Sequence, residues 1–241
     1  MIWGTGNLGG GAAGYPYGMI RVSYPEHSIL RIYGGKASKH DISRTERVYY
    51  IKEPSEYTLI ATDKETGAST SKTVVVSSFC YGASIVIASP LYIMKQGVYT
   101  DATISKYQGS CSEVNGTGYT IYKMTDNNWS TWFTDNKIDV TPYSRMVVVL
   151  TGGKTRYWDR FGLRADKASL STQNGNIFNV ASVSTGANGS DTTINSELTL
   201  STDISSINGS YWFGFTLEGT SSFNDGTYAK GGFKVTDMYL A

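Results

Sequence analysis

The chain has 241 residues, of which 40% are hydrophobic, so it can form one large or two modest domains, and wholesale disorder is excluded. With 21 basic and 20 acidic residues, no basic stripe and no apolar run of about 20 residues, neither nucleic acid nor a membrane is an expected partner. The chain holds 27 glycines and 18 tyrosines but only 5 prolines, a composition that favours short strands joined by turns.

Residues 1–18 form a glycine-rich head without the basic and apolar segments of a secretory signal. Glycine at this density loses too much entropy on ordering to pack a core by itself. Apolar and aromatic side chains nevertheless recur in the head, namely Ile2, Trp3, Leu8, Tyr15 and Tyr17. We therefore predict an attachment arm that orders against a partner, with a flexible leader as the alternative.

Alternating apolar residues begin directly after the head. Ile20, Val22 and Tyr24 point one way and Arg21 and Ser23 the other, which indicates a strand with one buried face. Further strands are predicted at residues 29–33, 47–51, 57–62, 72–76 and 84–88, with a hairpin loop at 63–67. About six or seven short strands in roughly 70 residues predict a small β-sandwich over residues 19–90.

Residues 91–241 form a second, larger and more aromatic block. Strands are predicted at residues 119–124, 138–140, 146–150, 157–164, 177–183, 194–200, 211–217 and 233–240. The apolar run at 146–150 is short and continuous, as expected for a strand that is buried on both faces. About eight strands in roughly 150 residues predict a two-sheet jelly roll. The predicted fold class is therefore all-β throughout.

Two cysteines, Cys80 and Cys111, lie one in each block. Small folds that depend on disulfides carry a higher cysteine density, so two free thiols are the expectation and a disulfide is the alternative. Oxygen-rich segments at 126–128 and 135–136 flank Trp129 and Trp132. Such loops can hold calcium, but Asp and Asn are also ordinary turn formers, so we expect no metal and no cofactor.

The sequence offers little chemistry for catalysis. His27 and His40 lie in polar turns, and neither a nucleophile elbow nor a zinc-binding pattern is present. Asp139 and Asp159 could be paired as a glycosidase dyad, but nothing in the sequence fixes the separation that such a dyad needs. The sequence therefore favours a non-enzymatic protein.

The aromatic residues suggest a ligand surface. On the predicted strand 211–217, the residues Tyr211, Phe213, Phe215 and Leu217 share one face and leave Trp212 on the other. By the same alternation Trp158 lies opposite Phe161 on the predicted strand 157–164. We predict that Trp158 and Trp212, with Trp129 and Trp132 in the loop, contact a ligand such as a sugar ring. Burial in the sandwich or at a subunit interface is the alternative.

Three segments of the first block carry a pattern, namely 20–25 (ending in Tyr-Pro), 56–63 and 71–76. They resemble an immunoglobulin-like module of virion proteins from tailed bacteriophages of Gram-positive hosts, with a mild departure at Leu59-Ile60. Segments 138–149 and 203–215 are similar to galactose-binding-like jelly rolls, which often bind carbohydrate and also serve as plain spacers.

The resemblance implies a tail, fibre or decoration protein of the virion that is assembled in the host cytoplasm. Its implied partners are other virion proteins, further copies of itself and host cell-surface polysaccharide. A bacterial cell-surface carbohydrate-binding protein is the alternative, and the missing secretory signal favours the virion. A glycan-cleaving enzyme is a third reading, which would need a carboxylate pair in a cleft.

Overall fold

The computed structural model describes residues 17–64, 67, 69–78, 81–167, 178–186, 191–223, 226–228 and 230–241. Every regular element in these ranges is a β-strand, so the predicted all-β fold class is confirmed. No helix in the described ranges is long and apolar enough to cross a membrane. The strands form two pairs of sheets, one from residues 18–86 and the other from residues 91–240.

The first sheet pair contains seven strands. They are β1 (Gly18–Ser23), β2 (Ser28–Gly34), β3 (Ala37–Asp41), β4 (Glu46–Ile51), β5 (Ser55–Asp63), β6 (Ser69–Val76) and β7 (Tyr81–Val86). One sheet has the order β3-β4-β1-β7 and the other the order β2-β5-β6. Strands β1 and β7 pair in parallel, and the other pairs are antiparallel.

The alternation predicted for β1 is confirmed. Ile20 and Val22 are fully buried, whereas Arg21 between them is exposed. In the facing sheet, Tyr57 and Leu59 of β5 are fully buried in the same cluster. Because successive side chains of a strand point to opposite faces, these strands supply the two inner faces that enclose one core. Burial of each such aliphatic side chain stabilises the fold by about 1.5–3 kcal/mol.

The second sheet pair contains fourteen strands, all paired antiparallel. The first seven are β8 (Leu91–Lys95), β9 (Val98–Tyr99), β10 (Ile104–Gln108), β11 (Cys111–Gly116), β12 (Tyr119–Met124), β13 (Trp129–Thr134) and β14 (Ile138–Asp139). The others are β15 (Arg145–Thr155), β16 (Arg160–Arg164), β17 (Ala181–Ser184), β18 (Thr192–Ile194), β19 (Leu198–Asp203), β20 (Ser210–Glu218) and β21 (Gly232–Leu240).

Each of these two sheets is named here after its central strand. The β20 sheet has the order β10-β13-β20-β16-β17, and β14 also pairs with β20. The β21 sheet has the order β11-β12-β21-β15-β18, with β19 beside β15, β8 beside β21 and β9 beside β8. Residues 146–148 of β15 are buried on both faces, as the continuous apolar run predicts.

Aromatic rings from both sheets fill the core of the second sheet pair. The Phe215 ring lies 4.6 Å from Tyr122, 5.7 Å from Trp132, 5.6 Å from Phe161 and 5.2 Å from Phe233, measured between ring centroids. Such aromatic pairs contribute about 0.5–1.5 kcal/mol each beyond their area burial. The cluster therefore ties β20 of one sheet to β12 and β21 of the other.

Several segments differ from the sequence-based prediction of strands, among them β8, β9, β10 and β11, for which the sequence predicts no strand. Residues 129–134 form the strand β13, between β10 and β20, rather than a loop, and five of these six residues are buried. Residues 37–41 form the edge strand β3, although four of the five are exposed and polar or charged. An edge strand can pair with a single neighbour without burying either of its faces. The sequence of β3 therefore shows no alternation of apolar and polar residues from which the strand could be predicted.

The two sheet pairs touch through polar contacts. The Lys72 ammonium donates to the carbonyl oxygens of Thr141 and Tyr143, at 3.2 Å in each case. Burial lowers the pKa of Lys72, and the nearby Asp203 carboxylate opposes that shift. The two hydrophobic cores share no residue. The domain limits 19–90 and 91–241 stay a prediction, and residues 87–90 link the last strand of one pair to the first strand of the other.

Candidate functional site

The outer face of the β20 sheet carries a small aromatic cluster that is separate from the main core. Strand register places Phe133 of β13 opposite Gly214 of β20, which pairs in turn with Gly162 of β16. Phe133 is buried together with Phe178, whereas its chain neighbour Trp132 belongs to the main core. The alternation of β13 thus gives the sheet a second apolar face.

Two glycines make room for these rings. A Cβ atom on Gly214 would lie 2.6 Å from the Phe133 ring, and one on Gly162 would lie 2.6 Å from Cβ of Phe178. Contacts of Cβ atoms shorter than 3.0 Å are essentially never observed, so a larger residue at either position would displace an aromatic side chain. The paired glycines therefore form a shallow depression in which the two rings lie.

Trp212 also packs against this cluster, because it lies two residues before Gly214 on β20 and shares its face of the sheet. Its side chain is half-buried, and two ammonium groups lie near its ring. Nζ of Lys137 is 4.5 Å and Nζ of Lys167 is 5.4 Å from the ring centroid. Each cation–π contact of an exposed ammonium contributes about 0.5–1 kcal/mol. Trp212 is thus held by apolar packing and flanked by positive charge.

Two further aromatic side chains extend the cluster. Half-buried Trp129 packs against it from the start of β13. The Tyr107 ring meets Phe133 edge-on at 5.7 Å, and its hydroxyl donates to the carbonyl oxygen of Lys167. We call the whole set the outer aromatic surface. Its members are Tyr107, Trp129, Phe133, Phe178 and Trp212.

Trp132 does not belong to this surface, which corrects its prediction as a ligand residue. Its side chain is only 6% exposed and stacks on Phe215 at an interplanar angle of 14°. The sequence placed Trp132 in a loop, where both tryptophans of the segment could face solvent. In the strand that actually forms, Trp129 and Trp132 lie an odd number of residues apart and point to opposite faces.

Trp158 lies in the turn that precedes β16, not on a strand, which corrects the predicted alternation of residues 157–164. The side chain is half-buried, and the Arg156 guanidinium carbon is 5.8 Å from its ring. Within the described ranges the Trp158 ring contacts Tyr157 and no ring of the outer aromatic surface, so Trp158 is separate from that surface.

The residue after Trp158 is the fully buried carboxylate Asp159. Its two oxygens accept the backbone N–H groups of Arg156 and Glu218, each at 2.7 Å. Burial raises the pKa of Asp159 well above its usual range, against the lowering effect of these two hydrogen bonds. Burial also raises the pKa of Glu218, which lies 3.5 Å from the Arg156 guanidinium. Asp159 thus joins the β16 turn to the end of β20.

The carboxylates considered for a glycosidase dyad lie in different environments. Asp139 is exposed on β14, and its pKa is lowered by hydrogen bonds from the Thr141 hydroxyl and from the Thr141 backbone N–H, the latter at 3.0 Å. Asp159 has no exposed surface and uses both oxygens on backbone groups. A ligand in solvent therefore has no access to Asp159.

The oxygen-rich loop before Trp129 is a turn closed by its own side chains. Asp126 accepts the backbone N–H of Asn128 at 3.0 Å, and Asn128 accepts the N–H of Trp129 at 2.9 Å. Within the described ranges, no three His, Cys, Asp or Glu side chains are grouped for metal binding. The oxygens of this loop therefore have a structural role in starting β13.

The glycine-rich head lies mostly outside the described residues, including Ile2, Trp3, Leu8 and Tyr15. Tyr17 is the first described residue, and it packs against the core of the first sheet pair. Cys111 is a free, buried thiol, and burial raises its pKa to about 12. Cys80 also lies outside the described residues.

Four residues in or beside the outer aromatic surface were not predicted from the sequence, namely Tyr107, Phe178, Lys137 and Lys167. These residues come from different loops and strands, so their approach depends on the order of strands in the β20 sheet. The one local signal was Phe-Gly-Phe at 213–215, in which glycine interrupts an apolar strand.

Neither family models nor curated proteins gave a match to this chain.

Proposed function

We propose that this chain is a non-enzymatic structural protein of a tailed bacteriophage virion, either a tail, fibre or decoration protein, that binds a host cell-surface glycan. The first sheet pair is its immunoglobulin-like module and the second its galactose-binding-like jelly roll. The glycan part is supported by one observation, the half-buried Trp212 held on a packed aromatic cluster beside two ammonium groups. The virion part is supported by the resemblance of the segments 20–25, 56–63 and 71–76.

The physical basis of sugar binding is the amphipathic character of a sugar ring. Its apolar C–H face stacks on an indole, while its hydroxyl groups need hydrogen-bond partners at the edge. Trp212 offers a ring whose position is fixed by Phe133 and Phe178, so that little side-chain entropy is lost on binding. Lys137 and Lys167 supply donors for hydroxyl or carboxylate oxygens next to that ring.

The non-enzymatic character is supported by how the nearby carboxylates are used. Asp159 is committed to two backbone N–H groups inside the fold. Glu218 lies beside Arg156, which also approaches Asp191 at 3.4 Å. These groups form a structural ion network at the end of β20, while the outer aromatic surface offers contacts for binding.

Binding is tested with the full chain and purified cell-wall polysaccharides from a panel of Gram-positive bacteria. The intact chain is expected to bind at least one of them, and Trp212→Ala is expected to weaken binding by about 1–3 kcal/mol through lost apolar contact. Tyr33→Ala is the matched control, because Tyr33 is an aromatic residue that is 52% exposed on the first sheet pair. Thermal unfolding of both variants must match that of the parent chain.

Two results would contradict the glycan proposal. One is that the intact chain binds none of the polysaccharides. The other is that folded Trp212→Ala and Tyr33→Ala bind as tightly as the parent.

The virion part is tested with antibodies against the chain, which are expected to label intact phage particles by electron microscopy. Label confined to the bacterial surface would instead favour a cell-surface carbohydrate-binding protein.

A further inference from the structure

The first sheet pair contains a basic cleft that shares no residue with the outer aromatic surface. Its lining includes the basic side chains His27, Lys39, Arg44, Arg47 and Lys64, and a single carboxylate, Glu26. These residues come from the turn before β2, from β3, from the β3–β4 turn, from β4 and from the turn after β5. Folding thus collects cations that form no basic run in the sequence, on a chain whose net charge is only +1.

Arg47 is the fixed cation of this cleft. Nε of its guanidinium donates to Asp41, and Nη1 donates to the Leu30 carbonyl oxygen at 3.0 Å and to the Tyr49 hydroxyl at 3.4 Å. The guanidinium carbon also lies 5.8 Å from the centroid of the Tyr24 ring. Within the described ranges, these bonds leave Nη2 without a hydrogen-bond acceptor. The guanidinium is therefore held in place before any ligand arrives, which lowers the entropy cost of binding.

The other cations are exposed and weakly compensated. Lys39 and Lys64 make no ion pair within the described part of the chain. Arg44 approaches Glu26 at 3.7 Å, but its side chain is 89% exposed, and a surface pair of this kind contributes about 0–1 kcal/mol. Three flexible cations thus stand around one fixed guanidinium.

We propose that this basic cleft binds a multiply charged tetrahedral oxyanion, that is, a phosphate or sulfate group, either free or carried on a polymer. A carboxylate has one charge and two oxygens, which the open Nη2 of Arg47 and a single lysine would already satisfy. Several cations from separate elements instead suit a group with more charge and with oxygens that point in several directions. This inference does not depend on the glycan function of the second sheet pair, because the two sites share no residue.

The test is an NMR titration of the 15N-labelled full chain at constant ionic strength. Inorganic phosphate, sulfate and poly(glycerol phosphate) are the probes, and acetate is the singly charged comparison. Saturable shifts are expected at the amides of His27, Ser28, Lys39 and Lys64. The double variant Lys39→Ala/Lys64→Ala is expected to raise the dissociation constant for inorganic phosphate about tenfold, since two charge-assisted contacts are lost. Tighter binding of poly(glycerol phosphate), compared per phosphate group, would assign the site to a polymer-borne phosphate.

The matched control is Lys36→Ala/Lys52→Ala, which removes the same charge from exposed positions of the same sheet pair outside the cleft. It is expected to leave phosphate binding within about twofold of the parent, because neither lysine lines the cleft and salt weakens the field of an exposed charge. If both double variants weaken phosphate binding equally, the effect comes from the overall charge of the chain and not from the cleft, and the proposal is overturned. Non-saturating shifts, or acetate binding as tight as phosphate, would overturn it as well.

Discussion

The buried carboxylate Asp159 should make the stability of the chain depend on pH in an unusual direction. Its pKa is raised in the folded state because burial penalises the charged form. Between the unfolded and the folded pKa, the folded chain therefore binds more protons than the unfolded chain. The contribution of Asp159 to stability is fully present below the unfolded pKa and is lost as pH rises through the folded pKa. Most acidic groups with partners behave in the opposite way.

The substitution Asp159→Asn isolates this effect because it keeps the shape and removes the titration. At low pH both forms are neutral at this position. The variant is then expected to be less stable by about 1–3 kcal/mol, since the amide NH2 cannot accept from one of the two backbone N–H groups. Above the unfolded pKa this deficit should shrink by up to about 1.4 kcal/mol per pH unit until the folded pKa is passed.

Urea unfolding of both chains, at intervals from pH 4 to pH 8, measures the difference directly. The subtraction removes titrating groups that the two chains share, although Glu218 and Arg156 lie close enough to couple with Asp159. Asp159→Leu serves as a second variant that leaves both N–H groups without an acceptor and should be less stable than Asp159→Asn at every pH. A stability difference between Asp159→Asn and the parent that stays flat from pH 4 to pH 8 would refute the raised pKa.

Three more predictions concern packing and accessibility. Phe215→Ala is expected to lower the free energy of unfolding in urea by about 3–5 kcal/mol, because it opens a cavity among four rings, whereas exposed Tyr33→Ala should change it by less than about 0.5 kcal/mol. Gly162→Ala should cost about 1–3 kcal/mol, because the added Cβ would lie 2.4 Å from both the Phe178 ring and the Ala181 backbone oxygen, and an unchanged midpoint would contradict the steric argument. In a Cys80→Ser background, Cys111 should resist iodoacetamide at pH 8 until urea unfolds the chain, as peptide mass spectrometry would show.

The alternation of apolar and polar residues predicted strands well where one face of the strand is buried and the other is exposed to solvent. It correctly predicted the buried side chains of β1, and it also identified Phe213 and Phe215 as core residues of β20, although residues 213–217 are buried on both faces. The signal weakens where both faces of a strand are covered, because apolar and polar residues then no longer alternate. The strand β13 is such a case, since Trp132 faces the core and Phe133 faces the outer aromatic surface.

The candidate sites could not be predicted from the sequence, because they depend on the order of the strands in each sheet. Lys137 and Lys167 approach Trp212 only because their segments lie beside β20 in the folded sheet. The basic cleft likewise collects Lys39 from β3 and Lys64 from the turn after β5. The prediction that Trp158 lies on a strand was wrong because its segment forms a turn, in which Asp159 accepts the backbone N–H groups of Arg156 and Glu218. No local sequence pattern indicates such hydrogen bonds.

The most direct test of the glycan proposal follows the five indole N–H signals of the chain in 15N-resolved NMR spectra. Each signal is assigned with a single Trp→Phe variant, and a glycan that binds the intact chain is then titrated in. The proposed function predicts that the Trp212 signal shifts with saturation and that the signal of core Trp132 stays in place. A saturable shift at Trp158 alone, or at none of the five indoles, would contradict glycan binding at the outer aromatic surface.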